Sequence, residues 1–453
     1  MWLGGLGLAP AALLVPAPAT ATATATVPVS ATAPVSATAP VSAPASAPAS
    51  AGETEAGAFS LPGLDLHDGM VAKFGSTYYA YGTEYGCGYQ WSVSSPWCGF
   101  GVSTAPSTTG PWSPVRTIVQ PGQNDPADKQ SLDQVCGENG GHGCFNPRMV
   151  QRADGAFILW FNAVADRVSA TTNAYVVMGC NGPAGGCGAE AGPPYGSTHK
   201  PVLHQCNGNN GDFALAAAAD DADGDGGTLI CDLGGVLSEE QLDPSWLDGD
   251  GNGSTGLGGL TSVEAPGVYQ DANSGKWILT YSDPNCGYCS GTPTGYATAD
   301  SPTGPWSWPR PAGFSAPVNG RRDISATSCG GQPRTVSILD GQAYEGIDLW
   351  TGSRNQAAAG VRYEPLNFLN PSGAPGKAWQ PFTPFSCTTP SASSPSSPSS
   401  PSSPSSPSSP SSPSSAPARW PLSWTPGGAA DRAEAAERGR GRRAAEPALS
   451  APR

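Results

Sequence analysis

Five polar residues, Asp68, Asn146, Asp212, Glu264 and Gln332, each head the same short pattern in this chain. The segments read DGMVAKFGSTYYAYGT, NPRMVQRADGAFILWFN, DFALAAAADDADGDGGTLI, EAPGVYQDANSGKWILTYS and QPRTVSILDGQAYEGIDLW, and their first residues are separated by 78, 66, 52 and 68 positions. In each, a polar residue precedes an apolar strand, a turn marked by Gly or Asp, and a second strand. Carboxyl groups drawn from separate segments can divide proton work between them: one held neutral gives up a proton, and another held ionised draws one from water. That chemistry requires a scaffold that brings residues some two hundred positions apart to one place.

The same repeats identify the scaffold. Of the 453 residues, those from 58 to 388 alternate short strands with glycine turns and show little helical periodicity, which predicts an all-β class. Repetition selects a propeller among all-β folds, since each unit is long enough for a four-stranded blade with loops. Five units predict a five-bladed β-propeller with disordered N- and C-terminal low-complexity segments. A second echo supports it, because STAPSTTGPW after the first unit returns as ATADSPTGPW after the fourth. The innermost strand of each blade runs along the central axis, so the five polar residues are expected to face one funnel.

Composition narrows the partners. The net charge is −14 and the pI near 4.6, which offers no basic footprint for nucleic acid or for an anionic membrane surface. Neutral ligands fit better, and a monomer is expected. All twelve cysteines lie between Cys87 and Cys387, as in a disulfide framework formed in an oxidising, extracellular compartment. Cys87/Cys98, Cys136/Cys144, Cys180/Cys187 and Cys206/Cys231 are close enough in sequence to be local staples, each contributing roughly 2–4 kcal/mol. Cys286-Gly-Tyr-Cys289 has the form of a redox or zinc motif, but no second pair and no histidine spacing accompanies it.

The ends differ from the middle. Residues 1–16 resemble a secretory signal without its basic start, and no run of about 20 apolar residues is long enough to span a bilayer. Residues 17–57 form an Ala/Thr/Pro/Ser linker, 389–417 a Ser/Pro linker, and 418–453 an Arg/Ala-rich tail, all too poor in apolar surface to offset chain entropy.

A funnel with an Asp and a Glu from different blades and aromatic walls suits hydrolysis of a glycosidic bond. In the single-displacement form, two carboxyl groups about 6.5–9.5 Å apart act on opposite faces of the sugar. Asp68, Asn146, Asp212, Glu264 and Gln332, the residues expected at the funnel, are the candidates to line such a site. Trp91, Trp97, Trp160 and Tyr288 are candidate stacking faces for a sugar, His67 a wall or orienting residue, and Asp65 a turn residue. The substrate is then a polysaccharide or oligosaccharide, and no cofactor is required. Two acidic loops allow a calcium alternative: Asp221 to Gly226 with Asp232, and Asp248 to Gly253, match part of an EF-hand loop but lack its glutamate at the twelfth position.

On these motifs the chain from about 58 to 388 resembles glycoside hydrolase family 43, five-bladed propeller enzymes acting on plant polysaccharides. The resemblance implies a general base at Asp68, ten residues before Tyr78-Tyr79. It implies a general acid at Glu264 in Glu264-Ala265-Pro266, with its strand ending at Tyr281-Ser282, and a third, pKa-tuning acid at Asp212 before the Asp-rich hairpin. Within the family the chain is most similar to the exo-β-1,3-galactanase-like branch, which has His-Gly-Gly in blade one and a blade-five Gln in place of the base. Here His67-Asp68-Gly69 keeps an Asp and Gln332 is also present, so Asp68, or Gln332 through water, is the implied base. That branch also places a Glu before Arg-Pro in blade two, where this chain has Asn146-Pro147-Arg148.

Overall fold

The computed structural model describes residues 57–123, 132, 133, 136, 143–163, 173–188, 198–208, 210–217, 226–307, 323–368 and 382–388. The signal-like segment, both linkers (Gly57 apart), the tail and the acidic loop 221–225 lie outside them. The chain divides into two compact units, Met1–Ser391 and Ala392–Arg453, and every described residue belongs to the first.

Twenty strands form five four-stranded antiparallel sheets among the described residues. Blade I is β2 (Val71–Phe74), β3 (Thr77–Thr83), β4 (Phe100–Ala105) and β5 (Arg116–Val119). Blade II is β6 (Cys144–Gln151), β7 (Phe157–Ala163), β8 (Tyr175–Cys180) and β9 (Thr198–His199). Blade III is β10 (Asn210–Ala216), β11 (Thr228–Leu233), β12 (Leu237–Leu242) and β13 (Gly249–Ser254). Blade IV is β14 (Glu264–Gln270), β15 (Trp277–Ser282), β16 (Thr294–Ala299) and β17 (Asp323–Ser325). Blade V combines β18 (Gln332–Leu339), β19 (Gln342–Leu349) and β20 (Gly360–Pro365) with β1 (Phe59–Ser60), which pairs with β20. The five-bladed propeller expected from the repeats is the observed fold. Its ring closes because the first strand completes the last blade.

Strand alternation explains why flat sheets pack into a ring. Successive residues point to opposite faces, so each sheet can bury apolar side chains on both. Leu159 and Phe161 enter the core shared by blades I and II, while Ile158 and Trp160 enter the one shared by blades II and III. Tyr269 and Ile278 likewise face blade V, and Val268 and Leu279 face blade III. The five buried clusters among the described residues therefore coincide with the five blade interfaces. Trp160, expected as a sugar-stacking face, is a core residue for this reason: it is fully buried and donates its indole N–H to the Trp246 carbonyl at 2.9 Å. Trp97 is also core, packed edge-on against Phe100.

The echoed TGPW segments repeat in three dimensions. Each follows the third strand of its blade, and Ser113 and Ser307 return to donate to Thr104 and Thr298 at the same 2.8 Å. The four disulfides expected between close cysteines are present, and Cys286–Cys289 and Cys329–Cys387 complete the pairing. Among the described residues no helix is long and apolar enough to cross a membrane.

Closure rests on a short strand, so its anchor is testable. Phe59 is 1% exposed, stacks on Tyr363 at 4.7 Å and meets Tyr344 edge-on at 5.2 Å. Truncation by Phe59→Ala is expected to cost about 3–5 kcal/mol, the usual result for a buried aromatic. Urea unfolding should register this as a lower midpoint with little change in slope.

Candidate active site

Each blade departs from regular pairing near the start of its first strand. In β6, Asn146 and Pro147 oppose one residue of β7; in β10, Gly211 and Asp212 oppose Asp232; in β14, Ala265 and Pro266 oppose Tyr281; in β18, Arg334 and Thr335 oppose Gly346. In blade I, three residues, Asp68 to Met70, oppose Tyr81 and Gly82 between the His67–Thr83 and Val71–Ala80 pairs. A bulge of this kind bends its strand and re-aims a side chain. Asp68, Asn146 and Ala265 take left-handed backbone conformations with φ of 51°, 59° and 52°. Gly69 is required by close approach, since a Cβ there would lie 1.8 Å from the Tyr81 carbonyl oxygen.

All five repeat-heading residues come together at these strand starts. Asp68, Asn146, Asp212, Glu264 and Gln332 line one cavity of about 170 Å³, with Phe145, Tyr288, Arg334, Asp348 and Trp350 completing its walls. Asp68 and Glu264 are each 8% exposed.

Glu264 is held almost entirely through one oxygen. Its Oε1 accepts the backbone N–H of Cys286 at 2.9 Å, that of Gly287 at 2.7 Å, and Nε2 of Gln332 at 2.5 Å. Burial, followed by the charge on Asp212, pushes its carboxyl up to about 7, and the three donors oppose that shift. Because Oε1 already accepts three hydrogen bonds, the acid proton belongs on Oε2. Gln332 is oriented without ambiguity: its Oε1 accepts from Trp350 Nε1 at 2.8 Å and Cys289 N at 3.2 Å, both pure donors, which leaves Nε2 for Glu264.

Asp68 sits in a different network. Its Oδ1 accepts from the Thr83 hydroxyl at 2.8 Å and the Asn146 N–H at 3.0 Å, whereas Oδ2 has no hydrogen-bond partner among the described residues. Burial, followed by Asp348, holds its carboxyl well above the usual range, against Thr83, Asn146 and Arg148. Asp212 accepts Asn146 Nδ2 at 2.8 Å and is raised by burial, with the Asn146 hydrogen bond and the Arg148 charge opposing. Two buried arginines balance this acidity. Arg148 donates to the Asp68 carbonyl at 2.7 Å and Asn146 Oδ1 at 3.3 Å, and Arg334 to Asp348 Oδ1 at 3.2 Å and to the Tyr363 hydroxyl.

The remaining expectations divide. Tyr288 lines the cavity, and its ring stacks on Trp91 at 4.4 Å, so the Trp91 face turned toward it is covered by protein. His67 does not line the cavity. It is fully buried against Tyr85 and Trp350, with Nε2 3.2 Å from Asp65. Asp65 holds a loop, accepting the N–H groups of Tyr85 and Gly86. Asp248 faces His199 and the Val202 N–H, and Asp250 caps Asn252. Asp232 accepts the Gly235 N–H at 2.5 Å.

Asp348, Arg334 and Trp350 were not singled out from the sequence. A signal was present: Trp350 ends the fifth repeat, and Asp348 stands two residues before it, in direct register with Gln332.

No protein-family model matches the chain, and no curated protein matches it. Solved structures do. An exo-β-1,3-galactanase from Phanerochaete chrysosporium, solved with galactose, is 17% identical over 67% of this chain and 61% of its own, with a TM-score of 0.49. The exo-β-1,3-galactanase of Clostridium thermocellum is 16% identical over 68% of this chain and 60% of its own, with a TM-score of 0.47. An arabinanase from Bacillus subtilis is 17% identical over 68% of this chain and 96% of its own, with a TM-score of 0.43. The likeness is to family-43 glycoside hydrolases. This chain spans about three fifths of the length of the two galactanases. At such identity the likeness concerns fold, and the chemistry of the cavity rests on its own geometry.

The hydrogen bond from Gln332 favours ionised Glu264, so its removal has a definite sign. Gln332→Leu should raise the Glu264 carboxyl further above about 7. Infrared titration of the protonated carboxyl band, with Glu264→Gln as the reference, reads the shift directly.

Proposed function

We propose that the protein is a secreted glycoside hydrolase that cleaves a plant-type polysaccharide or its side chains, of the galactan, arabinan or xylan class, by single displacement. The observation that carries this reading is Glu264, a buried carboxyl that lines the cavity and takes three donors on Oε1, which leaves Oε2 for the proton; burial pushes it up to about 7. In the proposed step Oε2 protonates the departing glycosidic oxygen. The bond from that oxygen to the anomeric carbon breaks as water attacks from the opposite face and passes its proton to the base.

Asp68 is the better base of the two candidates. Gln332 has both lone pairs of Oε1 occupied by Trp350 and Cys289, and an amide oxygen so engaged has no site left for water. Asp68 keeps Oδ2 unengaged, and Thr83 and Asn146 orient the carboxyl through Oδ1. Asp212, the second-largest cause of the raised Glu264 carboxyl, keeps the acid protonated. The six disulfides fit an oxidising, extracellular setting.

A second reading, a propeller that binds carbohydrate without cleaving it, draws on two observations. Asn146 offers an amide where the resembling branch has a carboxylate, and burial beside Asp348 favours neutral Asp68.

Glu264→Gln should lower product release from aryl glycosides carrying poor leaving groups, or from β-1,3-galactan, arabinan and xylan, by about 10²–10⁴-fold. A variant as active as the wild type would remove the mechanism. Binding without release by the wild-type protein would select the second reading. The pH profile of kcat/KM provides a separate check. Glu264 donates only while protonated, so activity falls as pH rises through about 7. Asp68 accepts only while ionised, so the acid limb should lie above the ordinary carboxylate range.

A further inference from the structure

Three of the N–H groups that fix Glu264 and Gln332 come from one four-residue turn, Cys286-Gly287-Tyr288-Cys289, in the loop between β15 and β16. The two cysteines of that turn are bonded to each other. Both central residues are left-handed, Gly287 with φ of 41° and Tyr288 with φ of 57°. Glycine adopts that conformation readily, but a tyrosine does so against its own side-chain sterics. An unbridged chain would therefore favour a different backbone at Tyr288. Relaxation there would rotate the peptide groups on either side of it and redirect the N–H of Cys289.

We propose that the Cys286–Cys289 bridge is a positioning element of the site, holding a left-handed turn whose N–H groups orient the acid Glu264 and its neighbour Gln332. The remainder of the mouth agrees with a turn that must stay in place. Tyr288 is clasped by Trp91, by a 2.8 Å contact between its hydroxyl and that of Tyr85, and by Trp350 at 4.8 Å. Those contacts fix the ring, whereas the bridge fixes the backbone beneath it. The Cys-x-x-Cys motif, which in sequence had the form of a redox or metal site, thus acts through its peptide groups. Both sulfurs belong to residues that are partly exposed at the rim, so a thiol reductant can reach them.

This inference rests on the assignment of Glu264 as the acid, yet its test does not depend on turnover. In the double variant Cys286→Ser/Cys289→Ser, a turn that no longer orients Gln332 through the Cys289 N–H weakens the Nε2–H donor that favours the ionised carboxylate, and the Glu264 infrared titration should move upward from the wild-type value. The alkaline limb of any hydrolytic activity should move with it, and kcat should fall at least tenfold with a smaller change in KM. If the double variant does not fold, the wild-type protein can be titrated after partial reduction, in which a dithiol supplies two electrons and two protons to the bridge. Alkylation and peptide mass mapping then report which bridges have opened. An unchanged Glu264 titration in folded protein with residues 286 and 289 unbridged would overturn the inference. A shifted titration in a protein that cleaves no glycoside would uphold it and instead count against the hydrolase reading.

Discussion

One extra residue at or just before the start of the first strand of every blade is the constraint on which the rest of the site depends. A regular strand alternates its side chains between the two faces of its sheet, and in a propeller both faces are occupied by neighbouring blades. The bulge breaks the alternation where the strand enters the funnel and leaves backbone groups unpaired there. Asp68, Asn146 and Asp212 lie within it, whereas Glu264 and Gln332 stand in regular pairs one and two residues ahead of it, and all five line the cavity. The unpaired amides then become useful donors: the Asn146 N–H is bound by Asp68, and the Asp68 N–H by Asp348.

Crowding so many acids on an axis has an electrostatic consequence. Asp68, Asp212, Glu264 and Asp348 share one cavity with Arg334, Arg148 is buried beside Asp68, and burial opposes charge on all of them. The Arg148 side chain itself is brought down to about 10 by burial and by Arg334. Buried acids in excess of buried bases hold some of their protons, and local hydrogen bonds decide which acids those are. Glu264 and Asp68 occupy the same funnel but differ in their partners. Glu264 concentrates its donors on one oxygen, whereas Asp68 is balanced between a hydroxyl, an amide and a nearby carboxylate.

The aromatic residues show where a sequence signal is ambiguous. Trp160 lies mid-strand in the apolar run Phe157 to Phe161, at a position whose side is fixed by alternation, and it is committed to the core between blades II and III. Trp350 lies just beyond the end of β19, where alternation no longer constrains it, and it reaches the cavity. His67 and Asp65 were legible as polar residues ahead of a strand. The sequence reads them as a wall or orienting residue and a turn residue; the packing of Tyr85 and Trp350 over the imidazole keeps His67 out of the cavity, and the 85–86 backbone engages Asp65.

What the sequence by itself determined is the repeat: five polar residues, each ahead of two strands, with cysteines close enough in sequence to pair. That much is local, because strand alternation, turn chemistry and short disulfide loops act within a few tens of residues. The tertiary structure alone decided which oxygen of each carboxyl is engaged, which amide of Gln332 faces Glu264, that Asp348 joins the cavity, and that a Cys-Gly-Tyr-Cys turn serves as a donor for the acid. These depend on groups from different blades meeting across an axis. Burial there multiplies the weight of each hydrogen bond, and no spacing along one chain encodes the direction in which it points.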